Sequence, residues 1–483
     1  MSDRGADGGA GPRPRQAGRV AVLASRSGPP GRALAGLAGT ALGVAVVVVA
    51  GPGARPALVA AALLLSLGAF AILLSALHQG PERPDRAGRG AGLSVRVVLA
   101  AGVALTALCV ALPPAGSKDV ASYALYGRVL TEYGENPYVV VPDDHPEDPW
   151  HPDVSTRWRQ TPSVYGPAFT VLSAAITGLG GDHRTLVRVL FQASAGLALV
   201  AAALVVARLT GDAAATAFVA LNPVLLASVV NGAHNDALVG AALLGACLAA
   251  RRRWWVAAGG LLALGAGVKV AAVLAVPALA GWAWRHGGRR AAAAVALTAG
   301  GLLAAGHLAF GPVAVGRALA EAGEQHSRSS VWRLAFSATG ADRLVGLAAI
   351  ATSIVLGAVL ARRHLADRTP DLAVASALVG YLLLGSYVLP WYHAWLLLPA
   401  AVAWRSRLAL GSAAVSAVLL LGYTWQPGDG GPVAAVLREV SHWAAPAAAL
   451  ALAVVLARTR GRDPDRGADS GIDPAPPGPA VRT

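Results

Sequence analysis

Charge is scarce in this chain. Only 14% of its 483 residues are Asp, Glu, Lys or Arg, against about 25% in a soluble globular chain. Together with a 55% hydrophobic content, this excludes an ordinary soluble domain. Cysteine is nearly absent: Cys109 and Cys247 are the two, each inside an apolar run. Two thiols within apolar runs suit small packing residues better than a disulfide or metal pair. Lysine is rarer still relative to arginine, with Lys118 and Lys269 the two among 40 cationic side chains. The first 32 residues lack the short apolar core and small-residue cleavage site of a signal peptide. No internal repeat is visible, which removes the usual sign of a repeat-built architecture.

What remains is a long series of apolar runs. Many approach the roughly 18 residues needed to cross a hydrocarbon core about 30 Å thick. The pattern predicts spans at about 33–54, 57–77, 95–113, 186–207, 213–230, 236–250, 254–267, 269–284, 291–310, 343–361, 371–389, 391–403, 407–424 and 442–457. The expected fold class is therefore an all-α polytopic membrane protein of about 14 transmembrane helices, with a large external loop over 115–184. Residues 1–32 and 458–483 read as disordered cytoplasmic tails, rich in Gly, Pro, Arg and Asp. Residues 33–94 read as an N-terminal two-helix addition, and 95–457 as the core.

The formal net charge of +14 comes almost wholly from arginine. In a soluble protein it would suggest a nucleic-acid partner. Here the arginines fill short gaps between apolar runs, as the positive-inside rule expects, so the expected partner is the lipid bilayer and not nucleic acid. The apolar stretch 165–181 decides the topology. If it crosses, Arg251–Arg253 and Arg285, Arg289 and Arg290 fall outside. If it only dips in, they fall inside with Arg362, Arg363, Arg405 and Arg407. Loop charge favours the second arrangement, and a non-spanning segment is tolerated where protein buries it. Both termini are then cytoplasmic. The 115–184 loop, Asn231–Asp236, Lys269, the 311–342 loop and Pro390–Trp395 share the external side.

The polar island from Ser117 to Pro167 is where chemistry is expected. Asp119 precedes Tyr123 and Tyr126 on a short helix, and the spacing places the three near one face. A carboxylate beside aromatic rings suits a general base with sugar stacked over it. The same spacing also suits a plain N-cap with interfacial tyrosines. Asn136 and Tyr138, in a Gly- and Pro-marked turn, read as sugar contacts or as the turn itself. The run Asp143, Asp144, Glu147, Asp148 and Asp153, interleaved with His145 and His151, fits no metal cage and reads as a solvated acidic loop. Tyr165 precedes Pro167, which suits the first turn of a helix.

Elsewhere, His234, Asn235 and Asp236 lie between apolar spans, where three polar residues are costly unless paired or facing a polar cavity. Lys269 sits mid-run and reads as a cation for a phosphate at headgroup level, or as a snorkelling side chain. Arg317, His326, Arg328 and Arg333 add cations to an external loop, which hints at an anionic ligand. Trp391, Tyr392, His393 and Trp395 follow Pro390 and read as site aromatics or an interfacial belt.

Five stretches in this order, DVASYALYG (119–127), GENPY (134–138), SVYGP (163–167), NGAHNDAL (231–238) and PWYHAW (390–395), resemble the superfamily C integral-membrane glycosyltransferases. Among these, the chain is most similar to the actinobacterial polyprenol-phosphomannose-dependent alpha-1,6-mannosyltransferase family. That resemblance implies Asp119 as catalytic base and a polyprenyl-phosphate mannose donor. It implies a mannan or lipoglycan acceptor and an inverting displacement at the outer face of the plasma membrane. Tyr123, Tyr126, Asn136, Tyr138, Tyr165, His234, Asn235, Asp236, Trp391, Tyr392 and His393 are then substrate contacts. Lys269, Arg328 and Arg333 face the donor phosphate. No cofactor is called for, and no divalent-metal site is supported. A transporter or flippase of a lipid-linked sugar, a scaffold for cell-wall assembly, and a transferase for another sugar such as arabinose are the alternatives.

Overall fold

The computed structural model describes residues 29–79, 93–313, 315–316, 320 and 325–459. Among them every regular element is helical. The first ten helices are α1 Pro29–Ala50, α2 Pro56–His78, α3 Val95–Ala111, α4 Asp119–Thr131, α5 Pro167–Gly180, α6 Arg184–Thr210, α7 Ala213–Ala220, α8 Asp236–Arg251, α9 Trp255–Val268 and α10 Ala275–Phe310. Later helices include Arg333–Thr339, Asp342–His364, Asp371–Leu384, Ala394–Ala400, Arg407–Tyr423, Pro432–Glu439 and Ala445–Arg458.

Local chemistry sets the helix starts. Ser94 Oγ accepts the Val97 N–H at 3.4 Å, Asp212 Oδ1 accepts that of Ala214 at 2.7 Å, and Ser406 Oγ accepts that of Ala409 at 3.2 Å. Each satisfies a donor that the first helical turn leaves open. Proline opens α2 and, as expected, α5. Consecutive helices pack as neighbours, α1 on α2, α8 on α9, α9 on α10, and Asp342–His364 on Asp371–Leu384. The last pair meets backbone to backbone, because a Cβ on Gly380 would lie 2.0 Å from the Ser353 carbonyl oxygen. Outward positions carry large apolar side chains, with Leu197 70% and Leu297 75% exposed. A water-facing helix would carry polar groups there.

Seven helical segments are long and apolar enough to cross a membrane, and five more apolar helices are shorter. The chain is thus an all-α membrane protein. Several expected spans differ in detail. Ala275–Phe310 is broken at Gly288, whose φ of 80° and ψ of −175° are not helical; the arginines on either side lie at that bend. The expected span 213–230 is α7 followed by a π-helical turn over Leu225–Val230, with Pro223 between them. The expected 391–403 is a 3₁₀ turn, a seven-residue helix holding Pro399 and a second 3₁₀ turn. Helix α5 has 14 residues, a rise of about 21 Å at 1.5 Å per residue, short of the roughly 30 Å of a hydrocarbon core.

The helix ends sort into two groups. At one end, Arg251 pairs with Asp371, Trp404 Nε1 donates to Asp212 at 2.9 Å, and Trp282 Nε1 donates to the Asp367 carbonyl at 2.9 Å. Arg363 there donates to the Leu456 carbonyl at 2.7 Å. At the other end, the 112–117 segment bonds the 231–235 turn, the start of α5 bonds the end of α9, and loop 325–332 bonds the 384–386 segment. Helices α1 and α2, expected as an addition, pack on α3 and α7. Both cysteines are free and buried, as packing residues would be.

Candidate active site

Helix α3 ends at Ala111, and its last carbonyls have no partner within the helix. Three side chains from elsewhere take them. Asn231 Nδ2 donates to the Cys109 and Pro113 carbonyls, both at 3.1 Å, while its Oδ1 accepts the Ala115 N–H at 2.9 Å. Gln192 Nε2 donates to the carbonyls of Cys109, Leu112 and Asn231 at 2.8–3.0 Å. Arg188 reaches the Val110 and Leu112 carbonyls. The segment leading to Asp119 is therefore clamped from α6 and from the 231–235 turn. Gln192 and Arg188 escaped sequence reasoning; their trace is two polar residues, four apart, in an otherwise apolar helix.

Asp119 is the first residue of α4 and does not cap it, since Lys118 occupies the cap position and no side-chain cap bond forms. The carboxylate turns instead to two partners. Tyr123 Oη donates to Oδ2 at 3.3 Å, and His234 Nε2 stands 3.4 Å from the same oxygen. The Asp119 side chain is 30% exposed, while that of His234 is 3% exposed. Burial raises the Asp119 carboxyl above its ordinary range, and the Lys269 ammonium and the Tyr123 hydroxyl oppose that shift. A carboxyl so tuned is a better base than a free one.

The expected sugar platforms divide into two sets. Tyr123 is buried and packs edge-on to Tyr165 at 5.0 Å and Phe169 at 4.8 Å. Tyr126 is buried too, with its hydroxyl on the Thr161 carbonyl at 2.7 Å. Tyr138 donates to the Tyr165 carbonyl at 2.7 Å and contacts Thr170 Oγ1 at 2.9 Å. Asn136 Nδ2 donates to the Phe310 carbonyl at 2.6 Å, and its Oδ1 accepts the Tyr138 N–H. The polar atoms of Tyr126, Asn136 and Tyr138 are thus bonded within the protein, and Asn136 ties the loop to the end of α10. The acidic run is likewise not a solvated loop throughout. Asp148 is buried, taking Arg128 Nε at 2.7 Å and Tyr133 Oη at 3.0 Å. His145 meets Glu135 at 2.8 Å, and His151 meets Asp143 at 2.7 Å. The His151 contact holds the Asp143 carboxyl below its usual range. Among the described residues no group of three or more His, Cys, Asp or Glu is arranged to hold a metal ion.

The 231–235 turn faces Asp119 from the other side. His234 stacks on Trp391 with centroids 3.7 Å apart and planes within 8°. Asp236, fully buried, does not cap α8; its Oδ1 takes Lys269 Nζ at 2.9 Å and Trp395 Nε1 at 2.6 Å. Tyr392 covers the ammonium, 4.1 Å from its ring centroid. The charge of Lys269, expected at the donor phosphate, is thus matched within the protein by Asp236. Asn235 and His393 are both buried, and among the described residues neither amide atom and neither ring nitrogen has a hydrogen-bond partner.

The loop cations behave differently from one another. Arg333 donates to the His442 carbonyl at 3.3 Å and lies over Trp443. His326 stacks on Phe336. Arg317 lies outside the described residues. Arg328 lies over Trp425 at 4.8 Å and Tyr423 at 5.4 Å, with no carboxylate within ion-pair distance among the described residues. Arg157, not expected as a site residue, stacks over Trp158 and Tyr387 and bonds Gln325 at 2.6 Å. The Tyr423 hydroxyl lies within electrostatic range of Asp119, Tyr387, Arg328 and Arg157 alike. Tyr387 and Tyr423 were missed because each reads as the polar end of an apolar run. A cavity of about 370 Å³ adjoins the site, bordered by Ser117, His234, Trp391, Tyr423 and the α1–α2 turn at Arg55.

Residues 21–286 match the family model described as Alpha-(1->6)-mannopyranosyltransferase, N-terminal domain. A protein of Mycobacterium tuberculosis named Alpha-(1->6)-mannopyranosyltransferase A is 29% identical over 392 residues, 74% of each chain. One of the same name from Corynebacterium glutamicum is 32% identical over 170 residues, 34% of each chain. No solved structure matches. The match to the family model takes in more than half of the chain, including α1, α2, Asp119, His234 and Lys269, and the chain belongs to this family of glycosyltransferases.

Proposed function

We propose that the protein transfers a mannosyl unit from polyprenyl-phosphate mannose to a mannan or lipoglycan hydroxyl, forming an alpha-1,6 linkage, with inversion and with Asp119 as base. The observation that carries this reading is the setting of Asp119. Its side chain is 30% exposed, its carboxyl is raised by burial, and the site also holds the aromatic-stacked guanidinium of Arg328. The acceptor O–H loses its proton to Asp119. The oxygen attacks the anomeric carbon, and the bond to the phosphate breaks with its electrons passing to the phosphate. Charge develops there, and a fixed cation acts most where charge appears only in the transition state. Arg328, aided by Arg157, takes this role, because Lys269 is already matched by Asp236. Lys269 acts on Asp119 instead, restraining its rise in pKa.

The names of the relatives support mannose and the alpha-1,6 linkage. The partition of helix ends supports a superfamily C arrangement with the arginine-rich end cytoplasmic and the site external. In that orientation α5 dips toward the membrane without crossing, and some of the shorter helices complete up to 14 passes. The test is direct. Purified protein is incubated with polyprenyl-phosphate mannose or arabinose and a short alpha-mannoside, and products are read by mass and linkage. A hexose added at O6 is expected; transfer of a pentose alone, or movement of lipid without transfer, overturns the reading.

A further inference from the structure

His234 is built into place by three separate features. Ala233 before it has a φ of +57°, a left-handed conformation that is strained for a residue with a Cβ. Gly232 has no room for a Cβ, which would lie 2.2 Å from the Ser228 carbonyl oxygen and 2.7 Å from His234 Nδ1. Trp391 covers the ring face. A buried side chain held this firmly has one hydrogen-bonding arrangement.

That arrangement follows from the neighbours. His234 Nδ1 is 2.6 Å from the Ser228 carbonyl oxygen. A carbonyl only accepts, so Nδ1 carries the hydrogen. Burial lowers the imidazole pKa to about 4, so the ring is neutral and Nε2 is bare. Ser117 Oγ accepts the Asp119 N–H at 3.2 Å, which leaves its own hydrogen for Nε2, also at 3.2 Å. Nε2 therefore faces the ionised Asp119 Oδ2 at 3.4 Å as one acceptor facing another. Only a proton between them turns that contact into a bond.

We propose that His234 is a positioning residue for Asp119, accepting a hydrogen bond at Nε2 from the carboxyl after it has taken the acceptor's proton. The proposal rests on the reading of Asp119 as base. In the resting state the bare nitrogen disfavours the carboxylate anion and so raises its basicity. Among the described residues Oδ1 has no hydrogen-bond partner, which leaves it for the acceptor hydroxyl. The acceptor O–H bond breaks, the proton passes to the carboxyl, and the acceptor oxygen bonds to the anomeric carbon as the phosphate leaves. A half-turn about Cβ–Cγ then places the new O–H on Nε2, displacing the Ser117 hydroxyl. The proton is thereby turned away from the product oxygen, and it passes to water when product departs. Other titratable groups facing this pair are Tyr123 and Tyr126 of α4, Tyr165 before α5, Asp236 with its partner Lys269, and Tyr387 and Tyr423. Of these, Tyr123 donates to Oδ2, and Asp236 Oδ1 is taken by Lys269 and Trp395.

The test is the pH profile of kcat for the full chain, wild type against His234→Phe and Ser117→Ala. Phenylalanine keeps the stack on Trp391 and removes Nε2. Its acid limb should move down by about one pH unit, with kcat lower by roughly 10- to 100-fold and the acceptor KM nearly unchanged. Ser117→Ala removes the competing donor, so its acid limb should move up. A purely structural histidine would lower activity without moving the limb, and an unmoved limb in His234→Phe overturns the proposal. If that variant does not insert, the direction in Ser117→Ala decides: a limb unmoved or moved down overturns it. Full transfer by Asp119→Asn would instead remove the base reading itself, so the two failures are told apart.

Discussion

Helix α4 carries a carboxylate network at each end, and the two are treated oppositely. Near its C-terminal end, Asp148 is buried against Arg128, with Tyr133 on the same oxygen and the Trp150 N–H on the other. Both its oxygens are satisfied. At its N-terminal end, Asp119 is partly exposed, and its contacts at Oδ2 are 3.3 and 3.4 Å long. Around that end Asp236 Oδ2, both amide atoms of Asn235 and both nitrogens of His393 have no partner among the described residues. Native interiors leave few buried polar groups unpaired. Beside Asp148 the one such atom is Trp150 Nε1, among the described residues, while both oxygens of Asp148 itself are bonded. That contrast in the two carboxylates separates frame from site.

Asp119→Asn should test the site side most severely. General-base removal is expected to lower transfer by about 10²- to 10⁴-fold, read as product formed per enzyme by mass spectrometry. Stability should move the other way. A carboxyl whose folded pKa is raised is penalised in its ionised form, a cost present at neutral pH and relieved as pH falls below the folded value. Asparagine removes that cost, so thermal unfolding in detergent should occur at the same temperature or higher. A variant that is both active and destabilised would erase the contrast between the two ends.

Lys269→Ala tests whether the Asp236 cluster belongs to frame or site. It leaves Asp236 buried without its cation, a change that costs about 3–5 kcal/mol when one partner of a buried pair is removed. The expected result is poor insertion or a much lower unfolding temperature, largely rescued by adding Asp236→Asn. A stable Lys269→Ala protein whose defect lies only in donor KM would return Lys269 to the phosphate role.

Arg328→Lys keeps the charge and removes the planar stack on Tyr423 and Trp425. Lysine does not replace a stacked, forked guanidinium. A donor KM raised about 10-fold, with the unfolding temperature held, is expected from an exchange worth about 1.4 kcal/mol. An unchanged donor KM would place Arg328 in the frame with Arg333.

Much of this was legible in the residues. A carboxylate after an apolar run, a histidine and an aspartate between two others, and a lone lysine are costly in such places, and the structure gathers Asp119, His234, Asp236 and Lys269 at one end. The helices were legible because apolar runs of that length have few other uses. What stayed hidden were pairings across distance in the chain. Nothing in the Lys269 neighbourhood of the sequence says that its charge is matched 33 residues earlier. Gln192 and Asn231 show no local sign that they finish α3. Arg157 and Tyr387 sit in loops whose course is set by tertiary contacts. Asn136 and Tyr138 show the converse: a polar aromatic turn has the same composition whether it binds sugar or a neighbouring carbonyl.

Tyr138→Phe draws the line between frame and site most finely. The hydroxyl is buried, bonded to the Tyr165 carbonyl and beside Thr170 Oγ1, on the loop that also holds Asn136 to α10. Losing one such bond costs about 0.5–1.5 kcal/mol, with a further share if the Tyr165 carbonyl is left unpaired. A frame residue should therefore lower the unfolding temperature by a few degrees, with kcat and both KM values within about twofold, since 0.4 kcal/mol is twofold at 25 °C. A sugar-contacting residue would do the reverse, raising acceptor KM with the unfolding temperature unmoved. The two outcomes differ on both readouts, so a change too small to matter for activity still assigns Tyr138 to the frame or to the site.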